Sequence, residues 1–135
     1  TGKTPGGGGA ALKVRATLPV SAVWSAAEMA ESLSRAQGCS VAYRIGAARG
    51  ILDLWVGRRQ TSGPDPVALT AVVAGVREAA VASGGQLSVI DGLELLSAGF
   101  DPWGDPGPAV EVMRRIKERF DPQNVLNAGR FVGGI

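Results

Sequence analysis

The sequence predicts an α+β domain in which an antiparallel sheet carries two helices on one face. Three observations predict it. Four short apolar segments alternate with a period of two, two longer segments have helical periodicity, and glycine or proline stands at each junction. The segments follow one another as strand, helix, strand, strand, helix, strand, and a further helix and a polar tail come after them.

The first strand and the first helix occupy the beginning of the pattern. Residues 12–18 alternate apolar and polar side chains, as in a half-buried strand that ends at Pro19. Ser21 or Ser25 is expected to cap the following helix, because Ser25 and the glutamate three residues later have capping-box spacing. This helix is expected to run to residue 38. Its predicted core-facing residues are Ala26, Met29, Ala30 and Leu33.

A hairpin is predicted next. Residues 41–45 and 51–56 are two apolar segments, and the glycine-containing residues 46–50 between them indicate a turn. Residues 60–63 are expected to form a loop.

The second helix has a clear start and a clear end. Asp65 followed by Pro66 is typical of a helix cap and first helical position, and two glycines at residues 84 and 85 end the helix. Its predicted core-facing residues are Leu69, Val72, Val73, Val76 and Ala80. Residues 86–90 form the last predicted strand, and Asp91 with Gly92 indicates a turn.

This βαββαβ order is that of the ferredoxin-like fold, with both helices on one face of the sheet. A Gly/Pro-rich extension at residues 97–108 follows it, and then an amphipathic helix at residues 109–120 and a tail. The predicted inward face of this last helix consists of Val112, Met113, Ile116 and Phe120. Residues 1–10 are rich in glycine and predict a flexible linker, so the domain is expected to span residues 11–135.

The composition excludes several classes of function. The chain has 135 residues, a net charge of +2, one cysteine and no histidine. It therefore contains no internal disulfide, no usual zinc site and no histidine-based catalytic triad, and no metal site is expected. The charge is too small to indicate nucleic-acid binding, and no apolar segment has the length of a membrane span. The sequence identifies no catalytic residue.

Most single residues have an ordinary structural interpretation. Trp24 and Trp55 are expected to fill the core, and Cys39 is expected to be a small buried apolar residue. Trp103 lies between a proline and a glycine, where a packed lid and a ligand contact are both open. The aspartates are assigned to turns and caps, where this residue type bonds its own backbone, namely Asp53, Asp65, Asp91, Asp101, Asp105 and Asp121.

Arg44 lies on the first strand of the predicted hairpin. Its positive charge either protects a solvated strand edge or contacts an anionic substrate or partner. Both interpretations are open from the sequence, and Arg44 and Trp103 are the two candidates for residues on the substrate side.

The C-terminal third resembles the closing segment of FAD-linked oxidases. The residues that carry the resemblance are Asp-Pro-Trp-Gly at 101–104, Lys-x-x-Phe-Asp-Pro at 117–122 and Asn-Ala-Gly-Arg at 127–130. Within that family the segment is most similar to the FAD-binding subunit of glycolate oxidase. The family's histidine-bearing metal motif, found in larger catalytic subunits, is missing from these residues.

The resemblance implies a function and a set of partners. It implies a C-terminal cap domain of an FAD-dependent 2-hydroxy acid oxidase, in a fragment without the FAD-binding domain, which would lie upstream. Asn127, Gly129 and Arg130 would then be the cofactor-binding residues, with Asn127 facing the flavin and Arg130 tying the tail to the FAD domain. An interpretation in which Asn127 and Arg130 only cap the last helix and its turn is equally open. The expected partners are a second flavin subunit and an iron-sulfur subunit of a glycolate oxidase complex, in the cytoplasm or at the cytoplasmic face of the membrane.

A second interpretation belongs to another class of function. The same fold also suits a free-standing ferredoxin-like module that binds a small molecule or assists assembly without catalysis. An upstream flavin domain in the same gene favours the oxidase, whereas ligand binding by the fragment alone favours the module.

Overall fold

The structure, a computed structural model, describes residues 11–58 and 65–135. The chain divides into two compact units, Thr1–Pro102 and Trp103–Ile135, which we call the sheet unit and the C-terminal unit. The linker predicted at residues 1–10 and the loop predicted at residues 60–63 lie outside the described residues. The assignment of residues 11–135 to one cap domain stays a prediction.

In residues 11–58 and 65–102, the sheet unit contains four strands and two helices in the predicted order. They are β1 (Leu12–Thr17), α1 (Val23–Ala36), β2 (Cys39–Gly46), β3 (Ile51–Arg58), α2 (Pro66–Ala82) and β4 (Gln86–Asp91). The strands lie in the order β2-β3-β1-β4, and every neighbouring pair is antiparallel. Each helix therefore connects two strands that have one strand between them, and the predicted α+β fold with the βαββαβ order is confirmed.

One face of the sheet is apolar and carries both helices. Alternate residues of the strands are buried there, as the period of two predicts. The fully buried examples are Leu12, Val14, Ala16, Leu52, Leu54 and Val56. They form one core with α1 and α2. Each fully buried leucine or valine contributes about 1.5–3 kcal/mol of hydrophobic stabilisation.

Helix α1 begins between the two positions that its serines predict. The helix starts at Val23 without a side-chain cap, and the Ser25 hydroxyl instead donates to the carbonyl oxygen of Ala22 at 3.0 Å. The predicted cap at Ser21 or Ser25 is therefore wrong. The small residues Ala26, Ala27 and Ala30 face the core. Trp24 and Met29 are 62% and 45% exposed, so their predicted place in the core is wrong, because this narrow alanine face leaves no room for a large side chain.

The hairpin turn brings the backbone very close to the end of β1. The amide of Leu18 donates to the carbonyl oxygen of Gly50 at 2.8 Å. Gly50 has a φ of +63°, and a Cβ atom there would lie 2.0 Å from the carbonyl oxygen of Leu18. A left-handed conformation and this contact both require glycine at residue 50.

Helix α2 follows its sequence signals. The Asp65 side chain accepts from the amide of Val67 at 3.0 Å and Pro66 is the first helical residue, so the predicted cap is confirmed. All five predicted core-facing residues are buried. The loop after β4 is attached to this helix, because Arg77 donates to the carbonyl oxygen of Asp101 at 2.8 Å and lies over the Phe100 ring.

The C-terminal unit contains helix α3 (Ala109–Phe120). None of its residues is buried, and Val112, Ile116 and Phe120 are 57%, 54% and 81% exposed. The predicted inward face of this helix is therefore wrong for the described residues. The amphipathic pattern is present, but its apolar side faces outward.

Candidate functional site

A buried aspartate folds the tail back onto α3. The Asp121 carboxylate accepts from the backbone amides of Val125 and Leu126 at 3.0 and 2.9 Å. It also accepts from the Lys117 ammonium group, which donates in addition to the carbonyl oxygen of Leu126. The Lys-x-x-Phe-Asp-Pro pattern is therefore a structural latch, because its lysine and aspartate hold the chain that follows.

The latch depends on the negative charge of the Asp121 carboxylate. The hydrogen bond from Lys117 and the amides of Leu126 and Val125 lower the pKa of Asp121 from 3.8 to about 2. A carboxylate that accepts several hydrogen bonds in its charged form is expected to behave in this way. Asp121 is thus ionised at all physiological pH values, and its burial to 6% exposure is compatible with its charge.

The tail continues through a turn made of residues that tolerate the left-handed region. Asn124, Asn127 and Gly129 have φ values of +49°, +48° and +71°. The amide of Arg130 donates to the carbonyl oxygen of Asn127 at 3.0 Å and closes the turn. Asparagine and glycine are the residue types for which this conformation costs least.

The latch and the turn border an apolar cavity within the C-terminal unit that is open to the surface. Its volume is about 600 Å³, and we call it the C-terminal cavity. The lining residues are Trp103, Met113, Ile116, Lys117, Phe120, Asp121, Leu126, Asn127, Arg130, Phe131 and Ile135. A largely apolar wall with a few polar groups is the usual character of a small-molecule site.

The cavity brings together three residues singled out from the sequence. Trp103, Asn127 and Arg130 all line it. The Trp103 ring nitrogen donates to the carbonyl oxygen of Arg130 at 3.3 Å, and its ring lies 5.3 Å from the Phe131 ring. Gly129 is not among the lining residues, and its positive φ instead permits the turn. Trp103 is therefore a packed residue that also borders the cavity.

The other face of the sheet carries a second polar feature, in the sheet unit. Asp53 on β3 is 1% exposed and lies opposite Arg15 on β1 and Arg44 on β2. Arg15 donates to both carboxylate oxygens, at 2.6 and 3.2 Å, and Arg44 donates to one of them at 2.7 Å. We call these three residues the carboxylate–arginine cluster.

The cluster has one positive charge in excess. The hydrogen bond from Arg15, followed by that from Arg44, lowers the pKa of Asp53 despite its burial, and Asp53 raises the pKa of Arg15 in return. Both arginine side chains stay partly exposed, Arg15 at 40% and Arg44 at 69%. The arrangement therefore holds two guanidinium groups in place at the surface of the sheet.

The sequence predicts Asp53 in a turn or cap, and that prediction is wrong. Asp53 occupies the middle of a strand, where a buried carboxylate is stable only with cationic partners. The sequence contains one indication of the carboxylate–arginine cluster, because Asp53 interrupts an apolar segment and arginines lie on two other predicted strands.

Trp55 lies two residues further along the same face of β3. It is half-buried, with the Lys13 ammonium 5.4 Å from its ring centroid, so its predicted place in the core is also wrong. The alternation of β3 turns Trp55 to the face opposite the helices, where a cation–π contact covers one side of its ring.

The described residues contain neither a metal-binding cluster nor a membrane-spanning helix. In residues 11–58 and 65–135 no group of three or more cysteine, aspartate or glutamate side chains is arranged to hold a metal ion. None of the helices in these ranges is long and apolar enough to cross a membrane.

Comparison with known proteins gives one match. The family model described as "FAD linked oxidases, C-terminal domain" matches residues 5–131 of the chain. The searches against curated proteins and against solved structures gave no match.

Proposed function

Because the chain belongs to the family of FAD-linked oxidase C-terminal domains, we propose that it caps the flavin of an enzyme that oxidises a 2-hydroxy acid such as glycolate. Family membership makes it part of an FAD-dependent oxidoreductase. The proposal adds the substrate class, the residues that face the cofactor and the partners.

The C-terminal cavity is the observation that carries the proposal. Its apolar and aromatic wall fits the edge of a flavin ring, and Asn127, Lys117 and Arg130 add hydrogen-bonding groups beside that wall. It does not fit a complete FAD, whose pyrophosphate needs a glycine-rich loop elsewhere in the protein. FAD, when bound, supplies the hydride acceptor, whereas this chain contributes shape, orientation and exclusion of water.

Each of the predicted cofactor-side residues has a distinct role in this proposal. Asn127 presents an amide that both donates and accepts, Arg130 presents a fork of donors suited to an anionic group, and Gly129 permits the turn that places them. The latch of Lys117 and Asp121 holds this turn in position.

The carboxylate–arginine cluster supports an anionic substrate. Asp53 neutralises one arginine, so the pair of arginines keeps one positive charge and donors that Asp53 does not use. A 2-hydroxy acid carries a carboxylate, for which guanidinium is the best-matched partner. Arg44, the more exposed of the two arginines, is the proposed contact, and Arg15 and Asp53 orient it.

The exposed apolar residues of α3 and of the tail support an upstream domain. Ile116, Phe120 and Phe131 are 54%, 81% and 49% exposed and border one cavity. A cluster of this kind marks an interaction site. We propose that the FAD-binding domain of the same polypeptide covers it. The proposed further partners are a second flavin subunit and an iron-sulfur subunit, and the proposed location is the cytoplasm or the cytoplasmic face of the membrane.

Visible absorption spectroscopy of the full-length parent protein, co-expressed with its genomic neighbours, tests the proposal. Anaerobic addition of glycolate is expected to bleach the flavin absorption. A flavin spectrum that glycolate and other 2-hydroxy acids leave unchanged contradicts the substrate class. Absence of flavin contradicts the cap function and favours the free-standing binding module.

Replacement of Asn127 tests the cofactor-side assignment with a matched control. Asn127→Ala and Asn124→Ala remove side chains from two left-handed positions, so each is expected to lose about 1 kcal/mol of folding stability. Only Asn127 lines the cavity. Asn127→Ala is therefore expected to weaken flavin retention or glycolate-dependent flavin reduction, whereas Asn124→Ala leaves both near wild type. Equal flavin content and reduction rate in the two variants would remove Asn127 from the site.

A further inference from the structure

A second cavity lies in the sheet unit, where α1 ends and β2 begins. Its volume is about 280 Å³. The residues that line it are Glu31, Ser34, Arg35, Cys39, Ser40 and Val41. All but the valine carry a polar or ionisable group, so its chemistry differs from that of the C-terminal cavity.

Cys39 contributes a thiol to this cavity. It is the only cysteine of the chain, and it is 3% exposed although it borders the cavity. Its thiol donates to the carbonyl oxygen of Gln37 at 3.7 Å, which is a long and weak hydrogen bond. The sulfur is thus sheltered from bulk water next to an open space.

Ser34 provides an unused hydrogen-bonding group in the same wall. It is 1% exposed, and its hydroxyl has no hydrogen-bond partner among the described residues. A buried hydroxyl without a partner is unfavourable, because it has lost its hydrogen bonds to water and gained none. An oxygen atom placed in the cavity would supply the missing partner.

The cavity is bordered by one basic and one acidic residue besides Cys39. The Arg35 guanidinium makes no ion pair with any described residue, and it borders the cavity together with Cys39. Glu31 borders it too, as a charged carboxylate that accepts a hydrogen bond from the Tyr43 hydroxyl. A nearby arginine stabilises a thiolate, which is the form of cysteine that reacts with oxidants.

We propose that Cys39 is a site of reversible oxidation by hydrogen peroxide to a sulfenic acid, with the Ser34 hydroxyl as hydrogen-bond partner of the new oxygen. The thiolate sulfur attacks one peroxide oxygen, so that an S–O bond forms and the O–O bond breaks. Sulfur gives up two electrons, and the second oxygen leaves as hydroxide and takes up a proton to become water.

The surroundings of Cys39 favour accumulation of this product. A sulfenic acid ordinarily condenses with a neighbouring thiol to form a disulfide. No second cysteine exists in the chain, and the burial of Cys39 hinders condensation with a cysteine of another molecule. The sulfenic acid is thus expected to persist until a small thiol reaches it through the cavity.

Mass spectrometry of the full chain tests the proposal. The protein is treated with hydrogen peroxide in the presence of dimedone, which adds to sulfenic acids, and the adduct is located by peptide mapping. One adduct on Cys39 is expected, and Cys39→Ser is expected to give none. Absence of the adduct under conditions that label the urea-unfolded chain would overturn the proposal, as would direct formation of sulfinic acid.

The role of Ser34 is tested by delayed addition of dimedone, which measures the lifetime of the sulfenic acid. Ser34→Ala is expected to shorten it on the order of five-fold, as the loss of one hydrogen bond implies. Ser32→Ala is the matched control, because Ser32 is an exposed serine of the same helix outside the cavity. Arg35→Gln is expected to slow the formation of the adduct. Equal lifetimes in Ser34→Ala and Ser32→Ala would exclude Ser34 as the partner of the oxygen.

Discussion

Asp121, in the Lys-x-x-Phe-Asp-Pro motif, fixes the position of the tail that follows α3. Its carboxylate accepts hydrogen bonds from the backbone amides of Val125 and Leu126. Lys117 donates to the same carboxylate and to the carbonyl oxygen of Leu126. The residues that resemble a family signature are therefore explained by local physical chemistry. They fix the tail, and the tail places Asn127 and Arg130.

Acid is expected to release the tail. The pKa of Asp121 is about 2 in the folded chain and 3.8 ordinarily, so protonation favours the released form. The stabilisation is complete above about pH 4 and is lost as the pH falls toward about 2. NMR of the Val125 and Leu126 amides across this range should show the change.

Two variants check that assignment. Asp121→Asn should remove the transition, whereas Asp105→Asn should keep it, because Asp105 caps only the exposed amide of Gly107. A transition that survives in Asp121→Asn would place its origin in another carboxylate.

Asp53 is expected to be the most sensitive polar residue of the sheet unit. Asp53→Ala leaves two guanidinium groups without their partner, and we expect a loss of about 1–3 kcal/mol of folding stability. Urea unfolding should measure this loss. Glu94→Gln, which changes an exposed carboxylate, should leave stability within about 0.5 kcal/mol of wild type. Comparable effects of both substitutions would argue against the cluster as a stabilising element.

At the scale of elements, the sequence predicts position better than orientation. The four strands and three helices lie where periodicity and Gly/Pro signals place them, and Asp65 caps α2 as expected. The start of α1, the outward face of α3 and the placement of Asp53 and Trp55 were missed. These depend on what lies opposite each side chain, which a single segment does not contain.

The hairpin turn offers a test of backbone geometry. Gly50 and Gly84 have φ values of +63° and +77°, but only at Gly50 would a Cβ atom collide with backbone. Gly84→Ala is expected to cost about 1–2 kcal/mol through conformation alone. Gly50→Ala is expected to cost clearly more, or to prevent folding. Denaturant unfolding monitored by circular dichroism compares them, and equal costs would mean that the turn relaxes around the new methyl group.

At the scale of the whole molecule, the candidate site was predictable in part. The resemblance pointed to Trp103, Asn127 and Arg130, and the structure places all three around one cavity. Lys117 was recognised only as part of the sequence motif. Its two hydrogen bonds could not be predicted, because they depend on how the tail folds back onto α3. The pairing of Arg15 with Asp53 depends on strand register, which the sequence pattern alone did not supply.

Because the apolar side of α3 is exposed, truncation of Phe120 is expected to cost much less folding stability than truncation of the buried Leu52. Leu52→Ala removes a fully buried side chain and should cost about 2–5 kcal/mol. Phe120→Ala removes a side chain that is 81% exposed and should change stability of this chain by less than about 0.5 kcal/mol. Thermal unfolding of both variants measures this. In the full-length parent, loss of flavin from Phe120→Ala would be expected, and unchanged flavin content would argue against coverage of α3 by the FAD-binding domain.

Trp103 gives the C-terminal unit an optical signal of its own. The other two tryptophans, Trp24 and Trp55, belong to the sheet unit, whereas the Trp103 indole packs on Phe131 at the border of the C-terminal cavity. A variant with phenylalanine at residues 24 and 55 would emit fluorescence from Trp103 alone. Flavins absorb in the region of tryptophan emission, so energy transfer from Trp103 would report the arrival of a flavin at this cavity without any label.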